Sequence, residues 1–212
     1  MKKIIFLAIM ALGLFSCEKD PDMDQMDDNL VVYTDHANDV NFAGFDTYYM
    51  PDSILVTGGK ESVYWKDANA QKVIQTVASE MQSRGYTRIT NPEQMELADL
   101  GIQLSYVSKT NQVVTDTYWN NNWWNYNYWG PWWGNWYYPY PVSYTYKTNT
   151  LVIEMVNLTQ KPAVTGTTTE LPVIWYAKAS GFQVSNADAN VTYLVDGVKQ
   201  AFQQSAYINA NE

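Results

Sequence analysis

The chain has 212 residues, with 22 acidic against 13 basic side chains, one histidine and one cysteine. This balance excludes a nucleic-acid binder, which needs clustered Lys and Arg, and it excludes docking on anionic lipid for the same reason. A single cysteine rules out a disulfide within the chain, so packing must hold the fold together.

The chain opens MKKIIFLAIMALGLFSC. Lys2 and Lys3 precede an apolar run over residues 4–15 that is too short to span a bilayer, and the small Ser16 comes next. Residues 1–16 therefore read as a secretory signal. Leu14-Phe15-Ser16-Cys17 resembles a bacterial lipobox, with Phe15 bulkier than the usual residue. The resemblance implies cleavage before Cys17, a lipid on its sulfur and acylation of the new amino group; plain secretory cleavage is the alternative. Two or more acyl chains make a stable anchor, so the expected membrane contact is the lipid alone. Glu18-Lys19-Asp20-Pro21-Asp22 looks like the acidic export signal of Bacteroidetes surface lipoproteins. It implies an outer-membrane, lipid-anchored protein exposed at the cell surface; a solvated tether facing the periplasm is the other reading. Without residues 1–16 the side chains number 11 basic and 22 acidic, and six of the acids fall within 18–28. Residues 17–38 read as an acidic tether and 39–208 as one domain, large enough for a real core.

Residues 39–50 are rich in aromatics, with Phe45-Asp46-Thr47-Tyr48-Tyr49 suited to a strand. Pro51 and Gly58-Gly59 punctuate the next stretch, and Val63-Tyr64-Trp65 reads as a short strand or an anchoring loop. Over 67–84 the period changes. Ala70, Val73, Ile74, Val77, Ala78 and Met81 fall on one helical face, with Asp67 as N-cap and Gly85 at the C′ position. A short strand is expected over 86–89. Leu100, Ile102, Leu104 and Tyr106 then alternate with Gly101, Gln103, Ser105 and Val107, in a strand that continues to about residue 118. Residues 143–159 read as a long strand and 172–182 as another, separated by the loop 160–170. The second helix covers 189–205, with Val191, Leu194, Val195, Val198, Ala201 and Phe202 on one stripe and Ser185 with Asp188 as a capping box. These elements predict an α+β fold: a mostly antiparallel twisted sheet of about five or six strands, with both amphipathic helices on one face. The strands near 45 and 87 flank a helix, which allows one parallel pair there.

Three stretches carry a family resemblance: Met81-Gln82-Ser83-Arg84-Gly85-Tyr86, Ala98-Asp99-Leu100-Gly101-Ile102-Gln103-Leu104, and Thr150-Leu151-Val152-Ile153-Glu154 followed by Ile174-Trp175-Tyr176-Ala177-Lys178-Ala179-Ser180-Gly181. In this order, with a terminal helix, they resemble domain-of-unknown-function family 4136, a group of bacterial envelope lipoproteins. Glu154 stands where that family would have Asp, and the loop 161–170 is longer. The resemblance implies a fold and a location and brings no catalytic residues.

Sites for chemistry are sparse. His36 has no second His and no nearby Cys to complete a metal shell. Asp20, Asp22, Asp24, Asp27 and Asp28 lack the Gly and terminal Glu of a calcium loop. Gly58-Gly59-Lys60-Glu61-Ser62 lacks the first Gly of a phosphate loop and reads as a turn. Asp52-Ser53-Ile54 matches the short O-glycosylation acceptor pattern of Bacteroidetes. No catalytic constellation, cofactor or metal is expected, and the chain reads as a non-enzyme.

Residues 118–140 hold seven Trp, six Tyr and six Asn and no charge. The run has no regular period, and Gly130-Pro131 and Gly134 make it a turning loop inserted in a hairpin. Trp119, Trp123, Trp124, Trp129, Trp132, Trp133, Trp136 and Tyr137 are the candidate binding residues. Four uses fit them: self-packing over the helix-free sheet face, stacking on glycans, contact with an envelope protein or a second copy, and insertion at a membrane interface. Trp65 and Trp175, outside the run, read as core residues.

Overall fold

A computed structural model describes residues 30–57, 63–107, 112–115, 135–137, 143–146, 149–159, 170–180 and 187–211. In chain order the strands are β1 (Val31–His36), β2 (Thr47–Tyr49), β3 (Ile54–Thr57), β4 (Val63–Trp65), β5 (Thr87–Ile89), β6 (Leu100–Val107), β7 (Gln112–Thr115), β8 (Asn135–Tyr137), β9 (Ser143–Tyr146), β10 (Thr150–Asn157) and β11 (Glu170–Ser180). The helices are α1 (Ala68–Ser83) and α2 (Ala187–Gln204), and 3-10 turns occupy Phe42–Gly44 and Pro92–Leu97.

β6 and β10 pair antiparallel along their whole length, from Thr150 opposite Val107 to Asn157 opposite Leu100. β11 lies on the far side of β10, and β1 closes that edge, both antiparallel. The other side of β6 carries β2 and β3 end to end, both parallel to it, with Tyr48 opposite Leu100 and Leu55 opposite Ser105. Pro51 lies in the break between them, where a residue without N–H loses no ladder bond. β5 runs parallel to β2, and β4 pairs back on β3. Eight strands thus form one mixed sheet, and β8 joins it as a ninth by pairing with the first residues of β11.

The α+β class and the parallel pair of β2 with β5 agree with the sequence reading; five or six mostly antiparallel strands do not. Two causes explain the difference. β3 and β4 are only four and three residues long, too short for alternation to register. The stretch assigned to the tether contains β1, whose Val-Val-Tyr-Thr is strand-forming sequence beyond the last of the clustered acids at Asp28.

Both helices pack on the same face of the sheet. Ala70, Val73, Ile74, Val77 and Met81 of α1 and Val191, Leu194, Val198, Ala201 and Phe202 of α2 join Ile102, Leu104, Leu151, Ile153, Met155 and Trp175 in one core. Asp67 caps α1, accepting from the N–H groups of Asn69 and Ala70 and from the Trp65 indole. These bonds hold the Asp67 carboxyl below the usual carboxylate range, the Ala70 N–H contributing most. Trp175 is fully buried, and its indole N–H donates to Ser205 Oγ at 2.9 Å. Trp65 is only half-buried. Along β11 the pairing slips: Met155 faces Trp175 but Val156 faces Val173. Ile174 is the extra residue of this bulge, and it turns with Trp175 into the helix-side core.

Candidate functional site

The face of the sheet away from the helices is not an ordinary wet face. Gln103, Ser105, Thr150, Glu154 and Tyr176 are each at most 1% exposed. The register brings three of them into one row, with Gln103 of β6, Glu154 of β10 and Tyr176 of β11 directly opposite one another. Ser105, Val152 and Lys178 form the next row, and Gln103 Nε2 donates to Ser105 Oγ at 3.0 Å. Below them Val156, Leu158, Leu171 and Val173 make a second apolar cluster with Tyr49 and Ala98. A buried carboxylate in the middle of a sheet is a costly arrangement that sequences keep only when its oxygens have partners. Every residue of β10 is buried, as in a strand covered on both sides.

The hairpin of β6 and β10 continues into a two-stranded ribbon, β7 with β9, in which Gln112 faces Tyr146 and Thr115 faces Ser143. The sequence reading ran these strands through without a break. Asn149 interrupts them with φ 61°, the left-handed region, alone among the described non-glycine residues. Its N–H donates to Val107 O at 2.8 Å, and its side-chain oxygen accepts from Tyr106 OH at 2.9 Å. At the opposite end of the sheet β8 lies parallel to the start of β11, Trp136 opposite Leu171 and Tyr137 opposite Pro172. Residues 138–142 alone link β8 to β9, and so short a link spans at most about 20 Å. A ribbon continuing in line with the sheet would hold Ser143 about 40 Å from β8, counting strand rise per residue. The ribbon therefore bends back toward the sheet beyond the Val107–Thr150 pair.

The structure brings Trp136 and Tyr137 onto β8. Trp119, Trp123, Trp124, Trp129, Trp132 and Trp133 lie outside the described residues, as do Cys17, the signal segment, Gly58-Gly59 and the Ser185 cap. Ser53 of the glycosylation-like motif is buried, and Asp52 beside it receives Arg88 Nη2 at 2.6 Å. His36 stacks on Tyr207 at 4.0 Å between centroids. No cluster of three His, Cys, Asp or Glu side chains suited to a metal occurs among the described residues.

Most motif residues that carry the family resemblance serve the fold. Arg84 Nη2 donates to Phe202 O at 2.9 Å, and Tyr86 OH donates to Phe42 O at 3.0 Å. Gly85 takes φ 91° at the end of α1. Asp99 Oδ2 accepts from the N–H of Asp46 and from both the N–H and hydroxyl of Thr47. The other polar motif residues of the sheet, Gln103, Glu154, Tyr176 and Lys178, all lie on the helix-free face. Sequence reasoning missed this row as a unit. Its signal was a Glu in the centre of Leu-Val-Ile-Glu-Met-Val, where an open face would have put polar residues at Val152 and Val156 as well.

The DUF4136 family, a domain of unknown function, matches residues 32–205. The chain belongs to the DUF4136 family. The crystal structure of a DUF4136 family protein from Bacteroides thetaiotaomicron is 36% identical, with a TM-score of 0.68 over 87% of this chain and 100% of that one. PelC from Paraburkholderia phytofirmans, solved as a dodecamer, is 11% identical with a TM-score of 0.39 over 81% of this chain and 95% of its own. No curated protein matches the chain. The DUF4136 match begins within β1, so the family unit includes the edge strand that the sequence reading gave to the tether.

Proposed function

We propose that this DUF4136 protein is a non-enzymatic envelope lipoprotein, anchored at the outer membrane through lipid on Cys17, that binds or assembles through its Trp/Tyr/Asn-rich insert. The observation that carries the reading is the short link between β8 and β9, which requires the ribbon to double back. Helices occupy one face, so the returning ribbon has the Gln103–Glu154–Tyr176 row as its surface to cover. The chemistry of the two sides agrees. Carboxyl oxygens accept hydrogen bonds, indole N–H only donates, and Asn and Tyr add further donors. An insert without charge offers such donors and brings no ion of its own to bury. Rings on its inner side cover the sheet, and rings on its outer side remain for a partner, where Trp and Tyr are favoured contact residues.

Substitutions test the anchor and the insert separately. Cys17→Ser is expected to move the protein from the membrane fraction to the soluble fraction; retention in the membrane would overturn the anchor. Trp132→Ala with Trp133→Ala is expected to abolish partner capture while leaving the thermal transition in place. A lost transition would show instead that the insert serves only to close the fold. Titration of the anchored chain with envelope polysaccharides, followed by Trp emission, separates a glycan from a protein partner.

A further inference from the structure

We infer that β1 is a self-pairing edge through which two copies of the chain join into one continuous sheet. No described strand pairs with the outer side of β1. Two observations show which backbone groups that side presents. Ala37 N–H donates inward to Ile174 O at 3.1 Å, continuing the ladder with β11, while Val32 O accepts outward from Gln204 Nε2 of α2 at 3.4 Å. Direction alternates along a strand, so Val32, Thr34 and His36 turn their N–H and C=O groups away from the sheet, with the His36 N–H taken by Asp35 Oδ1 at 2.9 Å. The 3.4 Å contact from Gln204 is long for a hydrogen bond and easily displaced.

Two devices that blunt an edge are absent: Val-Val-Tyr-Thr-Asp-His contains no Pro and no Lys, and its one acid is Asp35. Val31 and Tyr33 are 41% and 42% exposed, two of the four large hydrophobic residues that stand out among the described residues. Both lie on the helix-free face, opposite Ser180 and Lys178.

A second copy of this chain is the occupant that complements these groups. A two-fold axis at Val32 sets Val32 against itself as a hydrogen-bonded pair, and Val31 against Tyr33 of the second copy, twice over. The alternatives are poorer: an axis at Tyr33 puts Val31 against Asp35, and one at Thr34 puts Tyr33 against Asp35. Cross-strand apolar pairs such as Val31 with Tyr33 are what stabilise a two-stranded contact.

The test uses the full chain in membranes. Val32→Cys is expected to give a dimer band on a non-reducing gel, since opposed residues of a hydrogen-bonded pair lie within disulfide range. Thr34→Cys and the unsubstituted chain, with Cys17 alone, are expected to give none. In detergent the wild-type chain is expected to sediment as a concentration-dependent dimer and Val32→Pro as a monomer. Proline is tolerated where the lost N–H faces solvent. If Val32→Pro fails to fold, Tyr33→Lys carries the same test by setting a lysine against Val31 of the second copy. A wild-type chain that stays monomeric up to its solubility limit, a cross-link at Thr34 but not Val32, or a dimer that survives these substitutions would overturn the inference.

Discussion

Asp99 gathers three donors onto one oxygen, and in return its own N–H donates to Thr47 Oγ1 at 3.1 Å. This reciprocal staple fixes the start of β2 beside the start of β6, 52 residues apart in sequence. Hydrogen bonds to a charged acceptor contribute about 1.5–3 kcal/mol, and orphaning the donors adds a desolvation penalty. Asp99→Ala is therefore expected to lower stability by about 3 kcal/mol, and Asp99→Asn by less, read as a shift in urea midpoint at constant slope. Tyr86 and Tyr48 give a pH prediction. Burial pushes each phenol up to about 12, against the downward pull of the Arg84 guanidinium on Tyr86 and of Arg88 on Tyr48. Below pH 10 the phenols are protonated in both folded and unfolded chains, and the stability is flat. Between about pH 10 and 12 the unfolded chain releases protons that the folded chain still holds, so stability falls as pH rises. Tyr86→Phe is expected to flatten that alkaline limb in urea titrations at a series of pH values. An unchanged limb would place the alkaline loss elsewhere. The sequence marked Arg84 and Asp99 only through the family resemblance. Their roles were not legible because each partner lies far along the chain, as with Phe202 O, 118 residues from Arg84.

At the scale of elements, the helices were legible and the sheet was not. The stripe from Ala70 to Met81 carries its own period, its own cap at Asp67 and its own stop at Gly85, so local rules alone determine α1. Order across the sheet depends on which edges meet, and nothing in Ile54-Leu55-Val56-Thr57 announces that it will pair parallel with β6. The left-handed conformation of Asn149 belongs to the same class, because such a residue in mid-hairpin has only a weak sequence mark. It makes a prediction. Asn149→Gly keeps the backbone permitted at φ 61° and loses the Tyr106 contact, so it is expected to cost about 1 kcal/mol. Asn149→Val loses the same contact and also holds a β-branched side chain in the left-handed region, for a total of about 2–3 kcal/mol. Thermal midpoints for both variants check the order, and equal losses would show that the left-handed conformation at 149 is not what penalises the β-branched side chain.

At the scale of the whole molecule, the proposed function makes the insert the cover of the polar row, which a coupling experiment can test. Thr115 and Ser143 are paired, so residues 116–142 can be replaced by a two-residue Asn-Gly turn that closes the ribbon as a tight hairpin. This shortened chain keeps β6, β10, β11 and both helices, and with them the core on the helix side. In the full chain Glu154→Gln replaces one oxygen of a fully buried acceptor with a donor. Where the insert supplies the donors, that exchange breaks hydrogen bonds and lowers the unfolding free energy. Where the insert is also what covers Glu154, the shortened chain leaves that residue in water, and the same exchange changes little. The double-mutant cycle should therefore show a coupling of about 0.5–3 kcal/mol, the range for groups in direct contact. Additive losses would mean that the insert does not touch Glu154, and the self-packed half of the proposal would fail even if Trp132 and Trp133 still bind a partner. Coupling with no partner capture would leave the opposite result, an insert that closes the sheet and does nothing more. The two halves of the proposed function thus fail separately: absent coupling at Glu154 counts against self-packing, and undiminished capture by the Trp132→Ala, Trp133→Ala chain counts against partner binding.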